Sequence, residues 1–141
     1  MMKVFTNGCF DVLHRGHIEL LLYCHRLAVP ALGGSVIVGV NSDHSVKKLK
    51  GNDRPLNHQQ DRQFLLKSLK FVDEVLIFNE DTPLELIKKV QPDMIVKGGD
   101  YKPEDVVGND ICDVMIFDHI EGYSTTNILK KTEQCHQEKK S

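Results

Sequence analysis

Short hydrophobic runs rich in valine and isoleucine recur along this chain and alternate with longer segments of helical period. The runs predict five β-strands, at residues 3–6, 35–40, 74–78, 93–97 and 113–117. The longer segments predict helices at residues 16–27, 58–70, 83–90 and 125–133. This alternation is typical of a parallel sheet with crossover helices. We therefore expect an α/β fold with a doubly wound, five-stranded parallel sheet and helices on both faces.

The helix predicted at residues 83–90 has the clearest start signal. Thr82 is a suitable N-cap, Pro83 suits the first helical position, and Glu85 is placed to complete a capping box. At the end of the chain, the polar residues 134–141 are expected to fray. We therefore expect a single domain over residues 1–133, followed by a short tail.

Sheets of this kind bind ligands beyond the carboxyl ends of their strands. Four segments follow predicted strands at that edge, at residues 7–17, 41–54, 98–101 and 119–126. They hold most of the glycine, histidine, lysine and small polar residues that no packing requirement explains. The functional residues are therefore expected in these four segments, which we interpret as loops.

Composition and charge narrow the possible functions. The chain of 141 residues is long enough for one ordinary domain, and its net charge of −2 provides no overall basic field for nucleic acid. The hydrophobic stretches are too short to span a bilayer, and the N-terminus lacks a secretory pattern, so we expect a cytoplasmic protein without membrane contact. The four cysteines form no C-x-x-C pair and are predicted to be reduced thiols: Cys9, Cys24, Cys112 and Cys135.

The first strand-end segment has the residues of a phosphate site. Gly8 allows a tight turn, and Gly16 lets a ligand approach the first turn of a helix, whose amides and dipole favour anions. His14 and His17 are three positions apart, which places both imidazoles on one side of that helix. The plainer interpretation is turn geometry and helix capping. A zinc site with Asp11 as third ligand is a further alternative, for which the sequence offers no clear fourth ligand.

The second segment carries four cations within eight positions: Lys47, Lys48, Lys50 and Arg54. They lie at the same edge of the sheet as the two histidines, so a polyphosphate there would be contacted by the histidines on one side and by these cations on the other. A solvated charged loop is the plainer interpretation, and nucleic-acid binding is a weaker one.

The third and fourth segments suit a nucleotide as well. Gly98 and Gly99, between Lys97 and Asp100, expose bare backbone against which a planar base can lie, although a simple turn has the same pattern. Ser124 and Thr125 place hydroxyls at the start of the last predicted helix, where they bind phosphate or merely cap the helix.

Together these motifs resemble a known family. Gly8-x-Phe10-Asp11-x-x-His14-x-Gly16-His17 resembles the first signature of the cytidylyltransferase-like nucleotidyltransferases, and Gly122-x-Ser124-Thr125-Thr126 resembles their late signature. Over about residues 4–131 the sequence is similar to that of the adenylyltransferase domain of the bacterial ADP-heptose pathway, in segments such as Asn41-Ser42-Asp43, Arg54-Pro55 and Lys97-Gly98-Gly99-Asp100-Tyr101. The resemblance implies a Rossmann-like sheet and the transfer of AMP from ATP onto a heptose 1-phosphate type of sugar phosphate, with release of pyrophosphate.

Chemistry and resemblance together assign roles to individual residues. The expected catalytic residues are His14, His17, Lys47 and Lys50. The expected nucleotide-binding residues are Asn7, Gly8, Cys9, Phe10, Gly16, Arg62, Lys97, Gly98, Gly99, Asp100, Ser124 and Thr125. The expected substrate-binding residues are Asp11, Asn41, Asp43 and Arg54. Mg²⁺ is expected to bridge phosphates without a dedicated protein site, and Asp11 is expected to order the site by hydrogen bonding rather than by holding metal.

Two departures from the resembled domain bear on the acceptor. The connection at residues 28–34 is longer, and the segment at residues 108–113 is shorter on the expected acceptor side. A cytidylyltransferase using CTP and a polyol phosphate such as glycerol 3-phosphate therefore stays an alternative, as does a non-catalytic nucleotide-binding module. The resemblance also implies a homodimer. Because 141 residues leave no room for a kinase domain, a separate sugar kinase is expected to supply the sugar 1-phosphate.

Overall fold

The structure is a computed structural model that describes residues 2–30 and 33–118. The predicted last helix, Ser124, Thr125, Cys135 and the predicted tail lie outside the described residues. All five predicted strands lie within them.

A five-stranded parallel sheet forms the centre of the fold, in the order β3-β2-β1-β4-β5. Its strands are β1 (Lys3–Gly8), β2 (Ser35–Asn41), β3 (Glu74–Phe78), β4 (Met94–Gly98) and β5 (Asp113–Phe117). The chain runs from β1 outward to β3 and then crosses back to β4 on the other side of β1. This order is the doubly wound arrangement that the sequence predicts, and it places the ligand-binding crevice where β1 and β4 end.

Helices cover both faces of the sheet, as predicted. They are α1 (Arg15–Ala28), α2 (Asp43–Lys50), α3 (Gln59–Lys67) and α4 (Leu84–Val90), with a 3-10 turn at Pro103–Asp105. Successive strand residues point to opposite faces, so Val4 packs in the core with α1 and α3, while Phe5 packs in the core with α4. None of the described helices is long and apolar enough to cross a membrane.

Helix α2 replaces part of the loop that the sequence analysis expects at residues 41–54. The Ser42 hydroxyl caps it by accepting a hydrogen bond from the Ser45 amide at 3.1 Å, and Ser45 and Val46 are buried. Its lysine-rich composition is typical of a solvated segment, and only Ser42 and the buried Val46 indicate a helix. The loop prediction was therefore wrong over these eight residues.

The helix predicted at residues 83–90 begins one position later than expected. Pro83 occupies the cap position, the Thr82 hydroxyl accepts a hydrogen bond from the Leu84 amide at 3.4 Å, and no capping box forms. Glu85 lies 3.5 Å from Lys88 instead. The predicted helix at 58–70 is likewise shorter, ending at Lys67.

Candidate active site

A cleft of about 430 Å³ opens at the carboxyl ends of the strands, where the sequence predicts the site. Six of the predicted site residues line it: Asn7, Gly8, Cys9, Asn41, Lys50 and Lys97. These residues come from β1, β2, α2 and β4. The cleft therefore opens at the sheet edge that the strand-end rule predicts.

Eight further lining residues were not among the predicted site residues: Leu49, Asp81, Thr82, Pro83, Tyr101, Asp105, Val106 and Val107. Asp81, Thr82 and Pro83 follow β3, whose carboxyl end lies at the same edge as those of β1 and β2. The same rule applied to β3 would have found them. Leu49 lies on α2, next to Lys50. The other four come from the segment after β4, which the sequence analysis followed only to residue 101.

The two histidines meet at the N-terminus of α1, as their spacing predicts. Their rings stack with centroids 3.8 Å apart and planes 22° apart, and the His14 amide donates to Nδ1 of His17 at 3.3 Å. His14 is the N-cap residue, and Gly16 is the second residue of the helix. The imidazoles therefore lie beside the free amides and the positive dipole end of α1, an arrangement that favours anions. Neither histidine lines the cleft.

Phe10 supports this pair of histidines. Its buried ring lies 5.1 Å from the His17 ring, and its backbone has a φ of 49°. A Cβ atom added to Gly8 would lie 3.2 Å from the Phe10 ring, so the glycine makes room for it. Phe10, predicted to contact the nucleotide, thus has a buried ring that packs against His17.

Arg62, predicted to bind nucleotide, is completely buried and bonded to the protein itself. Its Nη1 donates to the carbonyls of Cys9 and Asn41, both at 2.7 Å. Its Nε donates to the Asn57 carbonyl and its Nη2 to an Asp43 carboxylate oxygen, both at 2.9 Å. The prediction is corrected: in this structure Arg62 joins the strand ends and does not face a ligand.

Asp11 and Arg54 form a second buried cluster. The Asp11 carboxylate accepts from Nε of Arg54 at 2.7 Å and from the amides of Leu56 and Asn57 at 2.9 Å. Asp11 therefore orders the loop by hydrogen bonding, as expected, and is not placed as a substrate contact. Because both of its carboxylate oxygens are bonded in this way, Asp11 is not placed as the third ligand of a zinc site either. Nη2 of Arg54 is buried and has no hydrogen-bond partner among the described residues.

The environment of Asp11 favours its charged form. Burial by itself would raise the pKa of Asp11, but the hydrogen bonds from Asn57, Leu56 and Arg54 outweigh burial. The pKa therefore lies below its ordinary value of 3.8.

Helix α2 places the three lysines of the predicted cationic cluster in different surroundings. Lys50 lines the cleft, Lys47 is exposed outside it, and Lys48 forms an exposed ion pair with Asp81 at 3.0 Å. Residues three or four apart share a helix face, so Lys47 and Lys50 lie on one side of α2 and Lys48 does not. Of the three lysines, Lys50 is the one that lines the cleft. The structure thus distinguishes Lys50 from the two neighbours that the sequence groups with it.

Lys97 lies at the end of β4, partly buried in the cleft wall. Its ammonium group lies 5.2 Å from the centre of the Tyr101 ring. Burial lowers the pKa of Lys97, and the nearby Cys9 opposes that shift. Within the described part of the chain, neither Lys97 nor Lys50 forms an ion pair with a carboxylate.

The remaining predicted residues surround the cleft. Asn41 lines it and donates to the Ser45 hydroxyl at 2.9 Å, whereas the Asp43 carboxylate holds Arg62. Gly99 has a φ of 105°, which favours glycine, and its amide donates to the Phe117 carbonyl at 3.2 Å. Gly98 and the exposed Asp100 do not line the cleft.

Replacing Arg62 by methionine should cost about 3–5 kcal/mol of unfolding free energy, because Asp43 and three carbonyls lose a buried partner. Urea unfolding followed by circular dichroism measures this loss. Arg26→Met, on the exposed surface of α1, is the matched control and should stay within about 0.5 kcal/mol. A loss below about 1 kcal/mol for Arg62→Met would show that the buried hydrogen bonds are not the main constraint.

The lowered pKa of Asp11 makes its contribution to stability dependent on pH. That contribution is fully present above the unfolded-state pKa of about 3.9 and is lost as the pH falls through the lower folded-state pKa. The difference in unfolding free energy between the natural chain and Asp11→Asn should therefore be large at neutral pH and shrink in acid. Urea titrations at a series of pH values measure it, and a difference that is constant down to the folded-state pKa would contradict the assignment.

Comparison with known proteins identifies the family. A family model described as cytidylyltransferase-like matches residues 5–137. The Bifunctional protein HldE of Nitratiruptor sp. is 57% identical over 133 residues, and that of Campylobacter concisus is 51% identical over 138 residues. These matches cover 94% and 97% of this chain but only 28% of each relative. The chain thus spans little more than a quarter of the length of these relatives.

Solved structures share the same architecture. A lipopolysaccharide core biosynthesis protein from Thermoplasma volcanium is 26% identical, with a TM-score of 0.68 over 88% of this chain and 99% of that one. A macrolide-efflux protein from Streptococcus pneumoniae, 21% identical with a TM-score of 0.67, covers 92% of this chain and 52% of that one and shows the fold alone. The family match, which spans most of the sequence and both strand-end histidines, shows that this chain belongs to the cytidylyltransferase-like family.

Proposed function

We propose that this protein is a nucleotidyltransferase that transfers AMP from ATP onto a sugar 1-phosphate of the heptose 1-phosphate type, with release of pyrophosphate. The observation that carries the proposal is the stacked pair His14 and His17 at the N-terminus of α1, at the same sheet edge as a cleft with two lysines. The similarity to HldE proteins and to the adenylyltransferase domain of the ADP-heptose pathway supports ATP and a heptose phosphate as the substrates.

The proposed reaction is a direct in-line displacement at the α-phosphorus. An oxygen of the acceptor phosphate forms the new bond to phosphorus, the bond to the β-phosphate breaks, and pyrophosphate leaves with those electrons. The acceptor phosphate is already anionic near neutral pH, so no protein nucleophile and no general base are required. Catalysis then consists of positioning the reactants and stabilising the charge that develops on the phosphates.

Several of the described site residues have a defined part in this proposal. His14, His17 and the amide of Gly16 bind the departing phosphates at the positive end of α1. Lys50 adds positive charge from the cleft. Arg54 is proposed to bind the substrate, which requires a movement of its side chain because the unpartnered Nη2 is buried. Lys47 is exposed and needs a movement of its side chain to take part.

The roles of the other predicted residues stay proposals. Gly98, Gly99 and Asp100 follow β4 and are proposed to shape the base and ribose site. Ser124 and Thr125, which lie outside the described residues, are proposed to bind phosphate. The acceptor has to carry its phosphate before transfer, so a sugar kinase must act first.

Magnesium fits this site as an ion held by the substrate. The described residues contain no group of three or more His, Cys, Asp or Glu side chains arranged to hold a metal. Mg²⁺ commonly keeps several waters and binds through substrate phosphates, which requires no such group. Bound in that way, it would supply counter-charge to the triphosphate.

Pyrophosphate release, measured with ATP or CTP and with heptose 1-phosphate or glycerol 3-phosphate, tests the substrates directly. We expect turnover with ATP and heptose 1-phosphate. Turnover with CTP and glycerol 3-phosphate alone would identify a cytidylyltransferase instead. Tight ATP binding without pyrophosphate release would identify a nucleotide-binding module, and neither binding nor turnover with any pair would refute nucleotidyl transfer.

His17→Ala should lower kcat about a hundredfold, corresponding to about 3 kcal/mol of lost transition-state stabilisation. Because Nδ1 of His17 also accepts the His14 amide, His17→Asn serves as a second variant that retains a hydrogen-bond acceptor. His25→Ala, further along α1, is the matched control and should keep its activity. Near-normal kcat in folded His17→Ala and His17→Asn would overturn the role of the imidazole.

A further inference from the structure

The cleft and the histidine pair are chemically different sites. The cleft carries two lysines, two aspartates, a threonine and two asparagines against an apolar wall that includes Tyr101 and Val106. The histidines lie outside the cleft lining, at the start of α1. In-line transfer requires the attacking and leaving groups on opposite sides of the phosphorus, and therefore needs two separate anion sites.

Lys97 has the properties of an anion-binding group without its anion. Its ammonium is partly buried, its one described close partner is the face of the Tyr101 ring at 5.2 Å, and no described carboxylate pairs with it. A buried charge without an opposite charge is costly. A bound phosphate monoester would supply that charge.

Lys50 lines the same cleft and comes from a different element, the end of helix α2. Cys9, which directly follows β1, lines the cleft together with Lys50 and Lys97. Two cations that line one cleft from different elements, α2 and β4, suit a single phosphate held between them.

The acidic residues of the cleft indicate what is attached to that phosphate. Carboxylates repel a triphosphate but accept hydrogen bonds from the hydroxyl groups of a sugar. Asp81 already pairs with Lys48, whereas Asp105 has no ion-pair partner among the residues that the structure describes. Asp105 is therefore the carboxylate that is available to a sugar hydroxyl.

We infer that this cleft is the acceptor subsite and takes a polyhydroxylated phosphate monoester, with Lys97, held in place by Tyr101, on the phosphate and Asp105 on a hydroxyl group. The inference rests on the proposed function and deepens it. It moves Lys97 from the nucleotide, where the sequence analysis places it, to the acceptor. The acceptor phosphate oxygen attacks the α-phosphorus from the cleft, and pyrophosphate departs toward His14 and His17.

Steady-state kinetics of Lys97→Met with ATP and heptose 1-phosphate test the assignment. We expect the KM for the sugar phosphate to rise at least about tenfold, because a charge-assisted contact is lost. ATP affinity, measured by calorimetry without acceptor, should stay within about twofold, as should both constants in the exposed control Lys67→Met. A weakened ATP affinity with an unchanged KM for the sugar phosphate would overturn the inference and leave nucleotidyl transfer intact. Absence of turnover in the natural protein would instead refute the proposed function.

Inorganic phosphate separates the two parts of the subsite, because it carries the anion without the sugar. As a competitive inhibitor against the sugar phosphate, it should bind more weakly to Lys97→Met and equally well to Asp105→Asn. Asp105→Asn should still raise the KM for the sugar phosphate. Equal effects of both variants on inorganic phosphate, or none on either substrate, would contradict the assignment.

Tyr101 is a positioning residue, and its two variants distinguish this from a structural role. Tyr101→Phe keeps an aromatic face and should retain the KM for the sugar phosphate, whereas Tyr101→Leu should raise it without lowering ATP affinity. A rise of equal size in both variants would show that the ring face does not hold Lys97.

Discussion

The buried guanidinium of Arg62 is the interaction on which the rest of the site depends. A cation removed from water has to be surrounded by acceptors, and here these are the carbonyls of Cys9, Asn41 and Asn57 together with the Asp43 carboxylate. These groups belong to the ends of β1 and β2, the loop before α3 and the start of α2. One side chain therefore sets the relative positions of the segments that form the cleft, and Asp11 with Arg54 does the same for the adjoining loop.

Because several charges are used internally, the charge presented to a ligand differs from the charge in the sequence. Arg62 is enclosed, Arg54 is bound by Asp11, and Lys48 is paired with Asp81. Lys50 and Lys97 are left facing the cleft, on rigid elements that end at its edge. A protein with a net charge of −2 thus places two lysines in one cleft without an overall basic surface. The stacked histidines lie at the N-terminus of α1, where the free amides and the dipole favour anions.

The sequence predicted what depends on periodicity and on local chemistry. The strand at residues 74–78 was placed without error, and the pairing of His14 with His17 follows from a spacing of three on a helix. The sequence analysis missed α2 because three lysines and one histidine in eight residues are typical of a solvated loop, while the Ser42 cap and the buried Val46 are weak signals. It assigned Arg62 to a ligand because an arginine on a helix carries no local sign of whether it points into protein or solvent.

The hydrophobic pattern by itself determined the α/β architecture and the strands, because burial of apolar faces leaves few arrangements of parallel strands. The cleft opens at the sheet edge that the rule for open parallel sheets predicts. Only the tertiary structure decided which cations are free, since pairing joins residues as distant in the chain as Asp11 with Arg54 or Lys48 with Asp81. It also brought Tyr101 onto Lys97 and Asp105 into the cleft. Such contacts depend on the direction of side chains across several elements, which no local pattern of residue types records.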